Sequence, residues 1–454
     1  MIKWGTTFGS HDGALAVFVD DELVFASDAE RWSRKKNDPI IPDRLIEFAE
    51  NKWGVPEIVY FYEDLDLKDE RRKFAGQKPL DELFFKYPIT YCNHHESHAR
   101  YGYYTSPFID CTVLVIDAIG EWNTMTQWKV KDGDFTLIEK WDYPKSLGLF
   151  YSAMTQAAGW KPNEEEYILM GASAVTQNYN IHDYQYIKSM WNNNKSFHQG
   201  IDLEGLTDEF EIAAIAQDIY EEEFQKIIDK IDDENLVFVG GCALNVSANR
   251  FLTKFNTYIP CNPGDGGSAI GCALDHKIEP NPYLGYEIAG EYPVTEIIKE
   301  LKENHMVGVA KGRAEFGPRA LGNRSLFADP SILDMKNKVN KVKGREKFRP
   351  FAPMILKEDV NTFFEKGISS PYMNTVRNAT HQTQQLYPSI VHLDGTSRIQ
   401  EVTEDPHRTL LEEWKKETGC PMLLNTSLNI KGEPIVNNEK DVKKFEIKTD
   451  VKVL

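Results

Sequence analysis

The sequence predicts an α/β chain of two domains, and three observations carry that reading. "CTVLVIDAIGE" (111–121) is an apolar run that ends in a carboxylate and a glycine turn. "LVFVGGCALNVSANRFL" (236–252) reads as strand, Gly-Gly turn and helix. "EPNPYLGYEIAGE" (279–291) is rich in Pro and Gly and looks like a connection, after which "PVTEIIKELKENHMVGVAKGR" restarts with helix, strand and loop. A length of 454 residues suits two or three domains with ample core. The expected division is 1–285 and 292–454.

Taken in order, the chain opens on β structure. "GALAVFV" and "ELVFAS" alternate apolar positions around Asp20–Asp21, a hairpin signal. "HHESH" (94–98) sits in a helical stretch, and the strand 111–121 follows. "DEFEIAAIAQDIYEEEFQKIIDKI" (208–231) carries an apolar stripe with acidic flanks and predicts a helix. No internal repeat or low-complexity tail is visible. Glycine turns and carboxylates at strand ends suit a phosphate or nucleotide cleft of the actin-like ATPase type.

Composition narrows the function. The chain is 41% hydrophobic and 27% charged, as in ordinary globular proteins. No run approaches the roughly 18 apolar residues of a membrane span, and "MIKWGTTFGSHDG" lacks a signal-peptide pattern, so a cytoplasmic address is expected. Six scattered cysteines without a C-x-x-C pair argue against a zinc ribbon or disulfide framework. A net charge of −18 disfavours nonspecific nucleic-acid binding. "RWSRKK" (31–36) and "KVKGREKFR" (341–349) nevertheless concentrate positive charge in an acidic chain.

His94 and His98 stand four residues apart, on one helix face about one turn from each other. Two imidazoles at that spacing can share a cation, with Asp117 at the end of the next strand and Asp265 in "NPGDGGSAIG" as carboxylate candidates. The spacing equally suits a helix end held by hydrogen bonds. His95 faces elsewhere and reads as a packed histidine.

"HHESHA" followed by "DAIGE" resembles the O-carbamoyltransferase family, whose members carbamoylate hydroxyls of nodulation factors and antibiotics. "SHDGALAV", "AERWSRKKNDP", "GGCALN", "NPGDGGSAIG", "GRAEFGPRALGNRS", "VKGREKFRPFAP" and "LLNTSLN" extend the likeness, in order, from Gly9 to about Val436. The resemblance implies an N-terminal actin-like domain, similar to the threonylcarbamoyl-tRNA transferase, and a C-terminal α/β domain similar to threonylcarbamoyl-adenylate synthase. It implies an iron(II) or other divalent ion on His94, His98, Asp117 and Asp265, with Mg2+ also allowed for. His11 matches the family's general base, a role that suits an imidazole; Asp12 beside it either orients the ring or is a turn carboxylate.

Gly240, Gly241 and Asn245 match nucleotide-contact positions, where bare backbone can approach phosphate. Carbamoyl phosphate and ATP are polyanions, which guanidinium forks recognise well. Arg313, Arg319, Arg324, Lys343, Arg345 and Arg349 are the cationic candidates, with Arg324 and Arg345 the first to expect in structural roles. Ser325, Asn425, Thr426, Ser427 and Asn429 are the neutral partners.

The implied activity is a two-step ATP-dependent carbamoyl transfer. The C-terminal domain joins carbamoyl phosphate and ATP into carbamoyl-adenylate and pyrophosphate. The N-terminal domain passes the carbamoyl group to an acceptor hydroxyl, on a sugar of a small metabolite or on a modified nucleobase such as hydroxymethylcytosine in DNA. No membrane partner is expected, and a homodimer is left open. Four features depart from the family pattern: Ala118, Ile168, "MGAS" where the family reads "MGLA", and a length reduced around residues 62–90 and 172–205, which would open the acceptor site. The rivals are a tRNA-modifying threonylcarbamoyl-type transferase and a non-catalytic actin-like nucleotide-binding protein. A hydrogenase-maturation role would bring an acylphosphatase domain and C-x-x-C motifs, and neither is visible.

Overall fold

A computed structural model describes residues 1–9, 11–77, 85–203 and 205–454. The chain divides into two compact units. One holds Met1–Ser33 and Asn37–Asn281; the other holds Arg34–Lys36 and Pro282–Leu454.

The first unit repeats one sheet topology. Its first sheet is built from β1 (Ile2–Thr7), β2 (Ala14–Val19), β3 (Glu22–Asp28), β4 (Ile58–Phe61) and β5 (Ile89–Tyr91), in the order β3-β2-β1-β4-β5. The first three strands are antiparallel, while β4 and β5 continue parallel to β1. The second sheet uses β6 (Cys111–Gly120), β7 (Asn123–Lys131), β8 (Asp134–Asp142), β9 (Asn235–Val239) and β10 (Asn256–Tyr258), in the order β10-β9-β6-β7-β8. It has the same directions: β7 and β8 antiparallel, β9 and β10 parallel. This duplicated order is the actin-like arrangement. The repeat escapes the sequence because only pairing order is shared.

The hairpin forms where expected, with Asp20 and Asp21 at φ 48° and 68°, the left-handed geometry of a tight two-residue turn. The acidic-flanked helix runs Glu209–Ile228, and its cap Asp208 accepts from the amides of Phe210 (2.9 Å) and Glu211 (3.0 Å). After β9 the chain makes two 3-10 turns, Gly241–Leu244 and Ala248–Lys254, where the sequence predicts one helix. Asn245 is the reason: its Oδ1 takes the Ala248 amide (3.1 Å) and interrupts the helical ladder. The helices His94–Thr105 and Asp265–Gly271 pack closely, and a Cβ at Gly271 would meet the Ser97 carbonyl oxygen at 1.9 Å.

The second unit has one five-stranded sheet and two ribbons. Its strands are β11 (Glu287–Ile288), β12 (Met306–Ala310), β13 (Gly312–Arg313), β14 (Arg324–Ala328), β15 (Ala352–Leu356), β16 (Val376–Asn378), β17 (Thr396–Arg398), β18 (Gln400–Val402) and β19 (Met422–Ser427). The sheet order is β12-β14-β19-β15-β18, with β11-β13 and β16-β17 as ribbons. The helix Val294–Asn304 and the helix His407–Thr418 bury Ile297, Leu301, Leu410, Leu411 and Trp414 in one core with the sheet. The Pro/Gly-rich stretch 279–291 is therefore not all connection, because Glu287–Ile288 pairs with Gly312–Arg313. The first basic island is likewise built in. Arg31 is buried, and Arg34 donates to the carbonyls of Pro434 (2.8 Å) and Ile435 (2.7 Å) and meets Asp441 at 3.5 Å.

Candidate active site

Asn93 caps the helix His94–Thr105, its Oδ1 accepting from the Glu96 amide (3.3 Å). This places His94 in the first turn and His98 one turn on, both buried. The Glu121 carboxylate takes the His94 amide (2.9 Å) and the Asp64 amide (2.8 Å), so an acidic group satisfies the helix start. β6 delivers Asp117, and the helix Asp265–Gly271 begins at Asp265. His94 Nε2 and His98 Nε2 lie 3.0 and 3.1 Å from Asp117 Oδ2 and 3.6 and 3.3 Å from Asp265 Oδ1. The two Nε2 atoms are 3.2 Å apart. All four ligand atoms lie within 4.8 Å of one another.

A divalent ion fits this set. Two imidazole nitrogens and two carboxylate oxygens converge on one point, a mixed N/O donor group suited to first-row metals such as iron(II). Hydrogen bonds alone satisfy it badly: two protonated Nε2 atoms 3.2 Å apart repel each other, and two neutral rings would have to share one proton. Burial disfavours charge on His94, yet Asp265, Asp117 and Glu63 outweigh it and hold the imidazole well above its usual pKa. Burial is likewise outweighed at His98, which Asp117 and Asp265 raise. Asp117 is lowered well below the usual carboxylate range by the same imidazoles, despite burial. These groups titrate together.

A second layer orients the first. Glu63 Oε2 lies 3.7 Å from His94 Nδ1, and Lys68 pairs with the other Glu63 oxygen. Asp117 Oδ1 accepts from the amides of Ala118 (2.7 Å) and Gly241 (3.3 Å), and Tyr62 donates to Asp265 Oδ2 (3.4 Å). A Cβ at Gly120 would meet the His94 ring at 2.2 Å, so only glycine fits there. His95 points away, bonding Thr126 Oγ1 at 3.0 Å, and burial holds it well below its usual pKa and neutral.

His11 enters from the loop between β1 and β2. Its Nδ1 lies 3.2 Å from Asp12 Oδ2 and its Nε2 3.9 Å from Asp265 Oδ2. Burial opposes charge, but the Asp12 bond and the Asp265 and Asp117 charges raise its pKa to about 10. His11, His94, Asp117 and Asp265 line one cavity of ≈ 330 Å³. Its other walls include Lys68, Arg71 and Arg72, then Ala118, Leu149, Ser152, Phe197 and His198. Both regions expected to be shortened, 62–90 and 172–205, contribute to the cavity wall through Tyr62, Glu63, Phe197 and His198; residues 78–84 and 204 lie outside the described residues. Ala118 lines the cavity, whereas Ile168 is fully buried core.

The structure does not aim Asn245 at the cavity. Its amide pairs reciprocally with Gln217 (3.1 and 3.2 Å), and Tyr151 also donates to Gln217 (2.7 Å). Gly240 and Gly241 do follow β9, Gly240 against the Ile116 backbone and Gly241 against the Asp117 carboxylate.

In the second unit the predicted residues separate into two groups. Arg324 is fully buried and donates to the carbonyls of Lys311, Gly312, Asn323, Tyr286 and Asn437, a structural role. Arg313 donates to the carbonyls of Leu284 and Gly285. The Asn425 amide is spent on the Ala320 carbonyl (3.1 Å) and Gln400 (2.7 Å), so it knits the Gly/Arg loop to β18. Ser325 is buried on β14, and Thr426 is half-buried on β19.

The other group converges. Lys343 Nζ bonds Asn429 through its carbonyl and Oδ1 (both 2.9 Å) and also reaches Ser427 Oγ (3.3 Å). Ser427 Oγ donates to Asn429 Oδ1 (2.7 Å). Burial, then Arg345 and Arg349, hold Lys343 well below its usual pKa. Arg398 is depressed in the same way by burial and by Arg319, Arg345 and Arg349. Arg345 also stacks on Phe351 at 4.2 Å and bonds Asn340 (2.7 Å). A buried lysine among half-buried arginines complements a polyanion. Sequence reasoning missed Arg398, whose stretch "DGTSRIQ" shows no excess of basic residues.

Residues 64–274 match the family model described as carbamoyltransferase N-terminus, and 298–454 match carbamoyltransferase C-terminus. An uncharacterized protein of Synechocystis sp. is 30% identical, covering 98% of this chain and 94% of its own. That alignment spans 579 positions against 454 residues here, so the relative carries insertions that this chain lacks. The 3'-hydroxymethylcephem-O-carbamoyltransferase of Amycolatopsis lactamdurans is 26% identical over 95% of this chain and 94% of that one. Nodulation protein NolNO of Sinorhizobium fredii is 26% identical over 97% of this chain and 77% of that one.

Proposed function

The chain belongs to the carbamoyltransferase family, and from that premise we propose that it is an ATP-dependent O-carbamoyltransferase that works through carbamoyl-adenylate. The observation that carries this is the convergence of His94, His98, Asp117 and Asp265 beside His11 on one cavity. The basic group around Lys343 supports the activation half.

Atom balance fixes the first half-reaction. Water must split carbamoyl phosphate into carbamate and phosphate before a carbamate oxygen attacks the α-phosphorus of ATP and expels pyrophosphate. Lys343, Arg319, Arg345, Arg349 and Arg398 supply the charge that holds these anions. In the second half, an acceptor oxygen bonds to the carbamoyl carbon and the bond from that carbon to the adenylate oxygen breaks. AMP leaves with the electron pair, and His11 takes the hydroxyl proton.

His94, His98, Asp117 and Asp265 would hold the metal, which when bound supplies Lewis-acid polarisation and charge neutralisation. The Asp117 and Asp265 charges that keep the proton on His11 are the ones a cation offsets, so base strength at His11 depends on the loaded site.

The test is mass spectrometry of the full chain given ATP, carbamoyl phosphate, iron(II) and a panel of hydroxyl acceptors. Transfer of one carbamoyl group with AMP, phosphate and pyrophosphate released is the expected result. An unchanged ATP pool would refute the adenylate route. It would equally favour a non-catalytic nucleotide-binding protein.

A further inference from the structure

The basic group of the second unit does not end at Lys343. That lysine closes the helix Met335–Lys343, on which Lys336, Asn340 and Lys343 stand at i, i+4 and i+7 and so share one face. The face looks onto the group: Asn340 Oδ1 accepts from Arg345 Nε (2.7 Å), and Lys343 Nζ meets Ser427 and Asn429. Lys336 is the other end of this stripe, about 10 Å from Lys343 along the helix axis.

The two lysines are used differently. Lys343 has three N–H donors and four oxygens already around it, the carbonyl and Oγ of Ser427 and the carbonyl and Oδ1 of Asn429. Lys336 is half-buried and, among the described residues, makes no hydrogen bond or ion pair. Burial and then the Arg345 charge lower its pKa. Arg398 is in a similar state: its Nε is buried without a partner, and β17 places it two residues after Thr396. The His392 ring links these two cations, with Nδ1 facing Thr396 Oγ1 at 3.3 Å. Burial, then Arg398 and Lys336, outweigh Asp394 and the Phe351 carbonyl and lower the His392 pKa to about 4. Asp394 Oδ1 is itself bonded by the Thr396 amide (3.0 Å) and hydroxyl (2.8 Å). A half-buried ammonium with unspent donors, next to a guanidinium in the same state, suits a phosphate that brings several oxygens at once.

From this placement we infer that Lys336 holds the terminal phosphate of ATP, with Arg345 and Arg398 beside it, while the carbamate lies toward Lys343, Ser427 and Asn429. A stripe of about 10 Å has room for a triphosphate with its attacking carbamate in line at the α-phosphorus. As the carbamate oxygen bonds to that phosphorus, the bond to the bridging oxygen breaks. The electron pair leaves with pyrophosphate, whose far end faces Lys336. This rests on the adenylate reading of the second unit and adds the residue that receives its leaving group.

The experiment uses the iron(II)-loaded full chain, with calorimetry of pyrophosphate and of AMP. Steady-state pyrophosphate release from ATP and carbamoyl phosphate is measured beside it. Lys336→Met keeps the length of the side chain and removes its charge. It should weaken pyrophosphate binding and raise the KM for ATP by about tenfold or more, the loss of one charge-assisted contact. AMP binding and the KM for carbamoyl phosphate should stay at wild-type values, and Lys336→Arg should recover most of the lost affinity. Lys338→Met makes the same change on the opposite, exposed face of the helix and should alter neither ligand. Equal effects of the two methionine variants, or AMP weakened as much as pyrophosphate, overturn the inference. A Lys336→Met chain that releases pyrophosphate with unchanged pyrophosphate affinity and KM for ATP sinks the subsite alone. A wild-type chain that binds pyrophosphate through Lys336 yet releases none from ATP and carbamoyl phosphate sinks the adenylate reading instead.

Discussion

The two units each bury a cluster of like character, and the signs are opposite. In the first, Asp117 and Asp265 face two imidazole nitrogens within 4.8 Å, an arrangement complementary to a cation. In the second, Lys343 and Arg398 are held among Arg319, Arg345 and Arg349, an arrangement complementary to polyanions. Both are poor stabilisers on their own account, since burying charge costs more than imperfect pairing returns. What they share is ligand dependence, and what separates them is which half of the reaction each serves.

The sharpest way to break that division is to disable one cluster and read both. His94→Ala or His98→Ala should lose bound metal and lower transfer by more than about a hundredfold, beyond the range for second-layer changes. Pyrophosphate release should continue in both. His95→Ala, which removes the Thr126 bond but no metal ligand, should keep metal and transfer. Metal analysis beside a pyrophosphate assay decides this, and equal metal loss in all three variants would sink the assignment. The mirror experiment is Lys343→Ala or Arg349→Ala. Pyrophosphate release should fall by about a hundredfold or more while metal content stays at the wild-type level. Metal loss in these variants would mean that the units do not act separately.

A smaller effect sharpens the first cluster. Glu63→Gln removes the charge that faces His94 Nδ1 and should lower metal affinity by about tenfold to a hundredfold without abolishing it. Competition with a chelator measures this. An unchanged affinity would make Glu63 a mere partner of Lys68.

The two clusters also differed in how far the sequence announced them. His94 and His98 are local, four residues apart on one helix, and that period is readable before any fold is known. The duplicated sheets were half visible, as strand–glycine units, but pairing order leaves no mark on composition. The basic group was harder. Arg313, Arg324 and Asn425 have the right chemistry at matched positions, yet the fold spends them on carbonyls and amides. Arg398 arrives from a ribbon strand with nothing in its neighbours to flag it. Lys68, Arg71 and Arg72 form no motif in the sequence, and only the fold places them at a cavity. What each charge faces decides which are functional, since the fully buried Arg324 is structural, and what a charge faces is a property of the assembled fold.

The smallest effect separates the clusters by the direction in which protons move. Despite burial, Asp117 and Asp265 raise the His94 and His98 pKa values above the usual imidazole range, which favours the protonated forms that a metal must displace. Metal binding should release protons, and its affinity should climb with pH by about tenfold per pH unit for each proton displaced. Lys343 is shifted the other way, below its usual value. Between its folded and unfolded pKa the unfolded chain binds the extra proton, so this group makes stability rise with pH across that window. An anion seated beside it favours the ammonium form and should draw a proton in. Calorimetry of iron(II) and of pyrophosphate binding, each run in buffers of different ionisation enthalpy, reads both directions on one protein. Opposite slopes are expected. Slopes of the same sign would show that one cluster's charge state is not what its surroundings dictate, and the Lys343→Ala and His94→Ala variants would identify which, by flattening only their own slope.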